Sequence, residues 1–407
     1  MIAFNRRVAL IGLLDACAVA MSTTLSASAC PFCNGADGKT LTTDAGEASL
    51  ILFGKLKNAR VDPKDAYAGQ TDLEIETVVK SHSILAGRKV ITLPRYLPPD
   101  PDYKFLVFCD VYKGQLDAYR GEPVKADSRI AGYLKGAIAV KDKDPATRLK
   151  YFFDYLEDKD PTVSGDAYKE YGFADYKDYR AVAEKLPAET IVRWLKDPNT
   201  TAARFGLYAS MLGHCGTAEH APLLRALLDD PQHRLTSGAD GVMAGYVLLQ
   251  PKAGWAYVAG LMRDAKLDFG VRYAALRAAR FFHEFRPDCV SKADLAAALI
   301  ALLDQKDIAD LAIEDLRKWG SWDVADRVLG LYGLESHNVP IVRRAILRYA
   351  LTCPPTVDPK VAAFVAERRK DSAKLLEEVQ EILNLESPKA PATAAAPTTA
   401  AKPVIDK

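Results

Sequence analysis

The sequence predicts a multidomain α+β protein, a small β-barrel followed by an α-solenoid, and three observations carry that expectation. Between residues 47 and 124, apolar residues alternate with period two or run in short continuous stretches, as strands do. From about residue 141 to 385 the apolar period becomes helical. That helical stretch is also self-similar at the length of one helical hairpin. With 407 residues, 49% of them apolar, the chain is long enough to build more than one core. Its net charge of +1 excludes bulk electrostatic attraction to nucleic acid.

Residues 1–29 read as a secretory signal peptide. Arg6 and Arg7 precede an apolar stretch over residues 8–20, and Ala27-Ser28-Ala29 offers small residues for cleavage. Asp15 interrupts the stretch, which falls short of the roughly 20 apolar residues a membrane span needs. The expectation is an exported protein, periplasmic or extracellular, with no transmembrane segment. Twin-arginine export and a lipid anchor at Cys30 stay open as variants.

Residues 30–140 form the expected barrel domain. The strand-like runs are residues 49–56, 73–79, 89–93, 103–112 and 115–119, with Lys113-Gly114 as a hairpin turn. Five short strands without long intervening helices suggest a small closed sheet, and residues 128–139 suggest a helix that plugs or flanks it. Export makes disulfides possible. Of the six cysteines left after cleavage, Cys109 is expected to pair with Cys30 or Cys33, closing a loop of over 70 residues and stabilising by ~4 kcal/mol. Cys215, Cys289 and Cys353 are expected as buried small apolar residues.

Residues 141–386 form the expected solenoid. Val271-Arg272-Tyr273-Ala274-Ala275-Leu276 resembles Val342-Arg343-Arg344-Ala345-Ile346-Leu347. Related segments begin at 203, 237 (a poor fit) and 308, so the five starts lie about 34 residues apart. Each later start is preceded by a second amphipathic segment, at residues 221–228, 255–262, 295–303 and 324–331, and Pro231, Pro251, Pro287 and Pro340 punctuate the series. About five or six hairpins should stack so that each buries its neighbour's face. The arginine of Val-Arg-x-x-Ala-Leu is expected to bond between repeats or to snorkel, rather than to bind a ligand. Residues 387–407, rich in Ala, Pro and Thr, lack the large apolar residues needed to offset ordering entropy and read as a disordered tail.

These segments resemble known families. The helical part, over roughly residues 150–385, is similar to HEAT-like, armadillo-type repeat proteins. The first part is similar in outline to the netrin-like fold, an OB-type barrel with an N-terminal cysteine pair found in tissue inhibitors of metalloproteinases. There Cys30 opens the expected mature chain, residues 50–56 match the first long strand, and Tyr103-Lys104-Phe105-Leu106-Val107-Phe108 matches a late one. The combination is also similar to exported proteins of planctomycete-type bacteria. The inhibitors begin Cys-x-Cys and chelate the target's zinc through the terminal amine and first carbonyl, whereas Cys30-Pro31-Phe32-Cys33 has one residue more. Metalloproteinase-inhibitor-like binding is therefore what the resemblance implies as an alternative.

Chemistry-bearing motifs are sparse. Cys30-Pro31-Phe32-Cys33 has the spacing of a dithiol redox centre, but no strand precedes it to position a thiolate. His214, Cys215 and His220 lack a second pair to complete a zinc site. Gly35-Ala36-Asp37-Gly38-Lys39-Thr40 lacks the first glycine of a phosphate-binding loop. No hydrolase, metalloprotease or dinucleotide signature occurs. The densest aromatic stretch includes Tyr151, Phe152, Tyr155, Tyr171 and Tyr176. It reads either as a recognition surface or as packing between the two domains. The expectation is a non-catalytic protein-binding scaffold with no cofactor, no metal and no nucleic-acid partner; the alternative is a thiol-disulfide oxidoreductase using Cys30 and Cys33.

Overall fold

A computed structural model describes residues 32, 38–63, 65–234 and 237–386. Five strands, β1 (Leu50–Asp62), β2 (Asp65–Lys80), β3 (Val90–Leu93), β4 (Tyr103–Tyr112) and β5 (Gln115–Lys125), form one antiparallel sheet in the order β3-β2-β1-β4-β5. The chain is therefore an α+β protein, a sheet followed by a long series of helices.

The alternation of the central strand explains why both faces of the sheet are covered. Leu50, Leu52 and Leu56 share a core with Leu73, Ile91, Leu93, Val107 and Cys109. Ile51 and Phe53 point the other way, into a core shared with Leu106, Phe108 and helical residues such as Tyr133 and Leu134. A strand buried on both faces has to be continuously apolar, which accounts for Leu50-Ile51-Leu52-Phe53. Gly54 follows because β2 bulges there: a Cβ at Gly54 would lie 1.9 Å from the Glu74 carbonyl oxygen. Lys113 and Gly114 both take positive φ between β4 and β5, as a two-residue hairpin turn of matching twist demands.

The expected closed barrel is corrected to an open sheet, because among the described residues no ladder joins β3 to β5. The reason is local. β3 is only four residues long and runs into Pro94, Pro98, Pro99 and Pro101, which cannot donate to a ladder. Pro123 sits in β5 opposite Phe105, a position an edge strand tolerates. Helix Ile130–Val140 flanks the sheet, burying Ile130, Tyr133, Leu134 and Ala137 against its outer face, and does not plug it.

Beyond it, helices Pro145–Phe153, Pro161–Gly172, Tyr176–Ala183 and Ala188–Lys196 lead into a regular series. Helices Ala202–Cys215, Ala239–Leu249, Phe269–Phe285, Ala309–Lys318 and Pro340–Thr352 alternate with Ala221–Asp229, Pro251–Arg263, Lys292–Ile300 and Ala325–Gly330. Proline opens several of them, where its missing N–H costs nothing. The poor match at residue 237 has a steric explanation. Ala202–Cys215 and Ala239–Leu249 meet backbone to backbone, and a Cβ at Gly245 would lie 2.2 Å from the Ala209 carbonyl oxygen. Small residues there replace the large ones that define the other repeats. One contiguous core runs from Phe32, Ile51 and Phe53 to Val361, so the sheet and the helices share apolar packing.

Polar ties cross from one hairpin to the next. Arg272, only 4% exposed, donates to Gln305 Oε1 at 2.7 Å and to both Asp307 oxygens at 3.0 and 2.6 Å. Arg280 meets Asp315 at 2.7 Å, and His337 Nε2 meets the Leu303 carbonyl at 2.8 Å. Arg204 donates to the carbonyls of Leu156 and Ser164. Arg272 and Arg204 thus bond across to neighbouring helices rather than standing free, whereas Arg343 lies over the Tyr332 ring, 5.7 Å from its centroid.

Candidate functional site

The sequence singled out cysteines first. Cys30 and Cys33 lie outside the described residues. Their neighbour Phe32 is 1% exposed and packs its ring 4.7 Å from that of Phe281. Cys109 is a free thiol among the described residues, and its expected pairing with Cys30 or Cys33 falls outside them. The thiol faces the sheet's inner core opposite Leu50, and burial pushes its pKa up to about 12. Burial likewise raises Cys215 to about 11 and moves Cys289 and Cys353 upward. None of these four is the low-pKa thiol that nucleophilic chemistry uses. Cys353 is buried as expected, while Cys215 and Cys289 are half-buried.

The aromatic stretch is next. Phe152, Tyr171 and Tyr176 are buried in the shared core and Tyr151 and Tyr155 are half-buried. Of the two readings of this stretch, the burial of these three rings supports packing. The rings of Tyr151 and Tyr155 lie 6.0 and 5.0 Å from that of Tyr133, on the helix flanking the sheet. The hydroxyls are spoken for: Tyr151 donates to the Tyr133 carbonyl at 2.6 Å and Tyr171 to the Leu149 carbonyl at 2.8 Å. Apolar area at a seam between a sheet and helices needs this many large rings. Tyr176 meets His214 Nε2 at 2.9 Å, and His214 Nδ1 meets the Ser210 carbonyl at 2.7 Å. The carbonyl can only accept, so Nδ1 carries the proton and Nε2 accepts from the tyrosine. Burial lowers the His214 pKa to about 4, which keeps the ring neutral. His220 turns instead to Glu189 and Thr217. Among the described residues, no cluster of three His, Cys, Asp or Glu forms a metal site.

Sequence reasoning missed the polar centre of the seam. The short helix Leu41–Glu47 starts with Thr40, whose hydroxyl accepts from Thr43 N at 2.9 Å. It docks on Asp166, which accepts from Leu41 N at 2.6 Å, Thr42 Oγ1 at 2.9 Å and Tyr133 OH at 2.8 Å. One carboxylate thereby joins three elements that are far apart in the chain. Lys80 of β2 closes the other end of the short helix by donating to the Ala45 and Gly46 carbonyls at 3.0 Å. One turn beyond Asp166 stands Glu170. Burial raises the pKa of both carboxyls, against the hydrogen bonds that Asp166 accepts from Tyr133, Leu41 and Thr42 and the one Thr40 gives Glu170. The only sequence signal for this centre is Thr40 ahead of Leu41 with Asp44 in the turn that follows, a capping pattern too common to single out.

No family, curated protein or solved structure matches this chain. No helix among the described residues is long and apolar enough to cross a membrane.

Proposed function

We propose that this chain is a non-catalytic, exported binding or scaffold protein whose helical hairpins stack as a HEAT-like α-solenoid and offer its surface to a protein partner. The observation that carries the reading is the recurrence of polar ties between residues about one hairpin apart. Arg272–Asp307 and Arg280–Asp315 are each 35 residues apart in sequence, and Arg348–Glu314 and His337–Leu303 each 34. Ties of that kind make each hairpin a unit that leans on the next, which gives an extended and stiff recognition surface. An OB-type, partly open barrel for the first region is supported by the sheet's apolar interior, which draws on β1 to β4 with Leu116 and Ala118 of β5 beside it.

The exposed apolar side chains on the recurrent helices, Phe269 and Ile341, are the natural contacts for a partner. The test is quantitative affinity capture from the exporting cell, comparing the wild-type chain with a Phe269→Glu, Ile341→Glu variant that melts at the same temperature. A partner held by the first and lost by the second supports the reading. Catalysed thiol oxidation that disappears in Cys33→Ser, with no partner found, replaces it by the redox alternative.

A further inference from the structure

We propose that the cavity between helices Leu41–Glu47, Ile130–Val140, Pro145–Phe153 and Pro161–Gly172 is a binding site for a small organic carboxylate with a compact apolar body. The cavity measures about 370 Å³, a size that suits a small molecule rather than a macromolecule. Phe152 and Ala137 supply an apolar wall, and Thr42, Lys141, Arg148 and Glu170 converge on the same space.

Charge decides the ligand's sign. Among the described residues neither Lys141 nor Arg148 forms an ion pair, although most other cations near the seam do: Lys39 with Glu47, Arg120 with Asp44, and Arg129 with Asp158. Lys39 also engages Glu47, the other acid at the rim, at 2.8 Å. Lys141 and Lys80 are close enough for Lys141 to add to the burial that lowers the Lys80 pKa. Like charges crowded beside an apolar wall are relieved by an anion.

Glu170 refines the choice. Its burial raises its pKa, with the neighbouring Asp166 adding to the rise and Thr40 and Arg148 opposing it. In its protonated form Glu170 can donate to one oxygen of a ligand carboxylate, while Arg148 and Lys141 meet the charge. Phe152 then favours a ligand with an apolar portion, which inorganic phosphate lacks. The site does not depend on the helical surface holding a protein, so its failure and that of the scaffold reading are separate results.

The experiment is calorimetric titration of the full chain with three probes, benzoate, its uncharged isostere benzamide, and inorganic phosphate. Benzoate should bind saturably at one site, with benzamide and phosphate each about tenfold weaker or worse, the scale of losing a charge-assisted bond or the apolar contact. Arg148→Gln and Lys141→Gln should each weaken benzoate by about tenfold. Lys141 is exposed, so its variant keeps the test intact even if Arg148→Gln perturbs folding. The proposal is overturned if benzoate shows no saturable binding, if benzamide or phosphate binds as well as benzoate, or if Lys141→Gln binds benzoate like the wild type.

Discussion

Leu50 and Ile51 are neighbours in sequence and belong to different cores, whereas Arg272 and Asp307 are 35 residues apart and bond directly. The sheet sorts side chains by a period of two, so adjacent residues part company across its plane. In the helical region, residues 34 or 35 apart come together on neighbouring helices. The contrast shows where each region is vulnerable. The sheet depends on register, the helical region on the fit between successive hairpins, and the seam on a few long-range polar contacts with no periodicity at all.

The sharpest way to break the helical side is steric. Gly245→Ala places a Cβ 2.2 Å from the Ala209 carbonyl oxygen; it should cost about 3 kcal/mol, at the upper end for overpacking, in urea unfolding. The matched control is Gly260→Ala, in helix Pro251–Arg263, where a Cβ meets nothing within 4 Å.

The seam comes next. Asp166→Ala leaves Leu41 N and the Thr42 and Tyr133 hydroxyls without their shared acceptor, and should cost about 2 kcal/mol. Its pH dependence gives a second test. Because burial raises the folded-state pKa of Asp166, the folded chain holds a proton that the unfolded chain releases. That contribution is fully present below the ordinary aspartate pKa and is lost as pH rises through the raised one. Asp166→Asn should therefore flatten the fall in stability between the ordinary aspartate pKa and the raised one, read from denaturation midpoints at stepped pH. An unchanged slope would remove Asp166 from the account.

A smaller effect is expected between hairpins. Arg272→Met removes the ties to Gln305 and Asp307 while keeping much of the buried stem. About 1.5 kcal/mol should be lost, since the half-exposed Asp307 regains water while buried Gln305 loses a partner. The smallest change is a gain: Gly260→Ala should stabilise by about 0.5–1 kcal/mol through helix propensity. If it destabilises instead, the contrast with Gly245 is not one of backbone proximity.

Much of the architecture was legible because it is periodic. The strands announced themselves by alternation, the Lys113-Gly114 turn by its chemistry, and the recurrent helices by segments at 203, 271, 308 and 342 that fall within one or two residues of observed helix starts at 202, 269, 309 and 340. The repeat at 237 matched poorly because close helix approach selects glycine over the apolar residues that make a repeat visible. The aromatic stretch was visible as composition, yet composition could not tell a surface from a seam. Leu41–Glu47 escaped notice because a seven-residue helix has too few turns to show a period. The cavity beside it was not legible either, since the whole sheet lies between Thr42 and Lys141 in the sequence and Glu170 lies on a later helix.

The sequence by itself determined the α+β class, the strand and helix order and the recurrence of about 34 residues, because each follows from the local spacing of apolar side chains. Only the tertiary structure decided that the sheet stays open, that Cys109 is a sealed thiol, and that the tyrosines pack a seam. It alone placed Asp166 where it accepts from Leu41, 125 residues earlier. Contacts at that distance are set by how the sheet and the helices dock, and no local period records them.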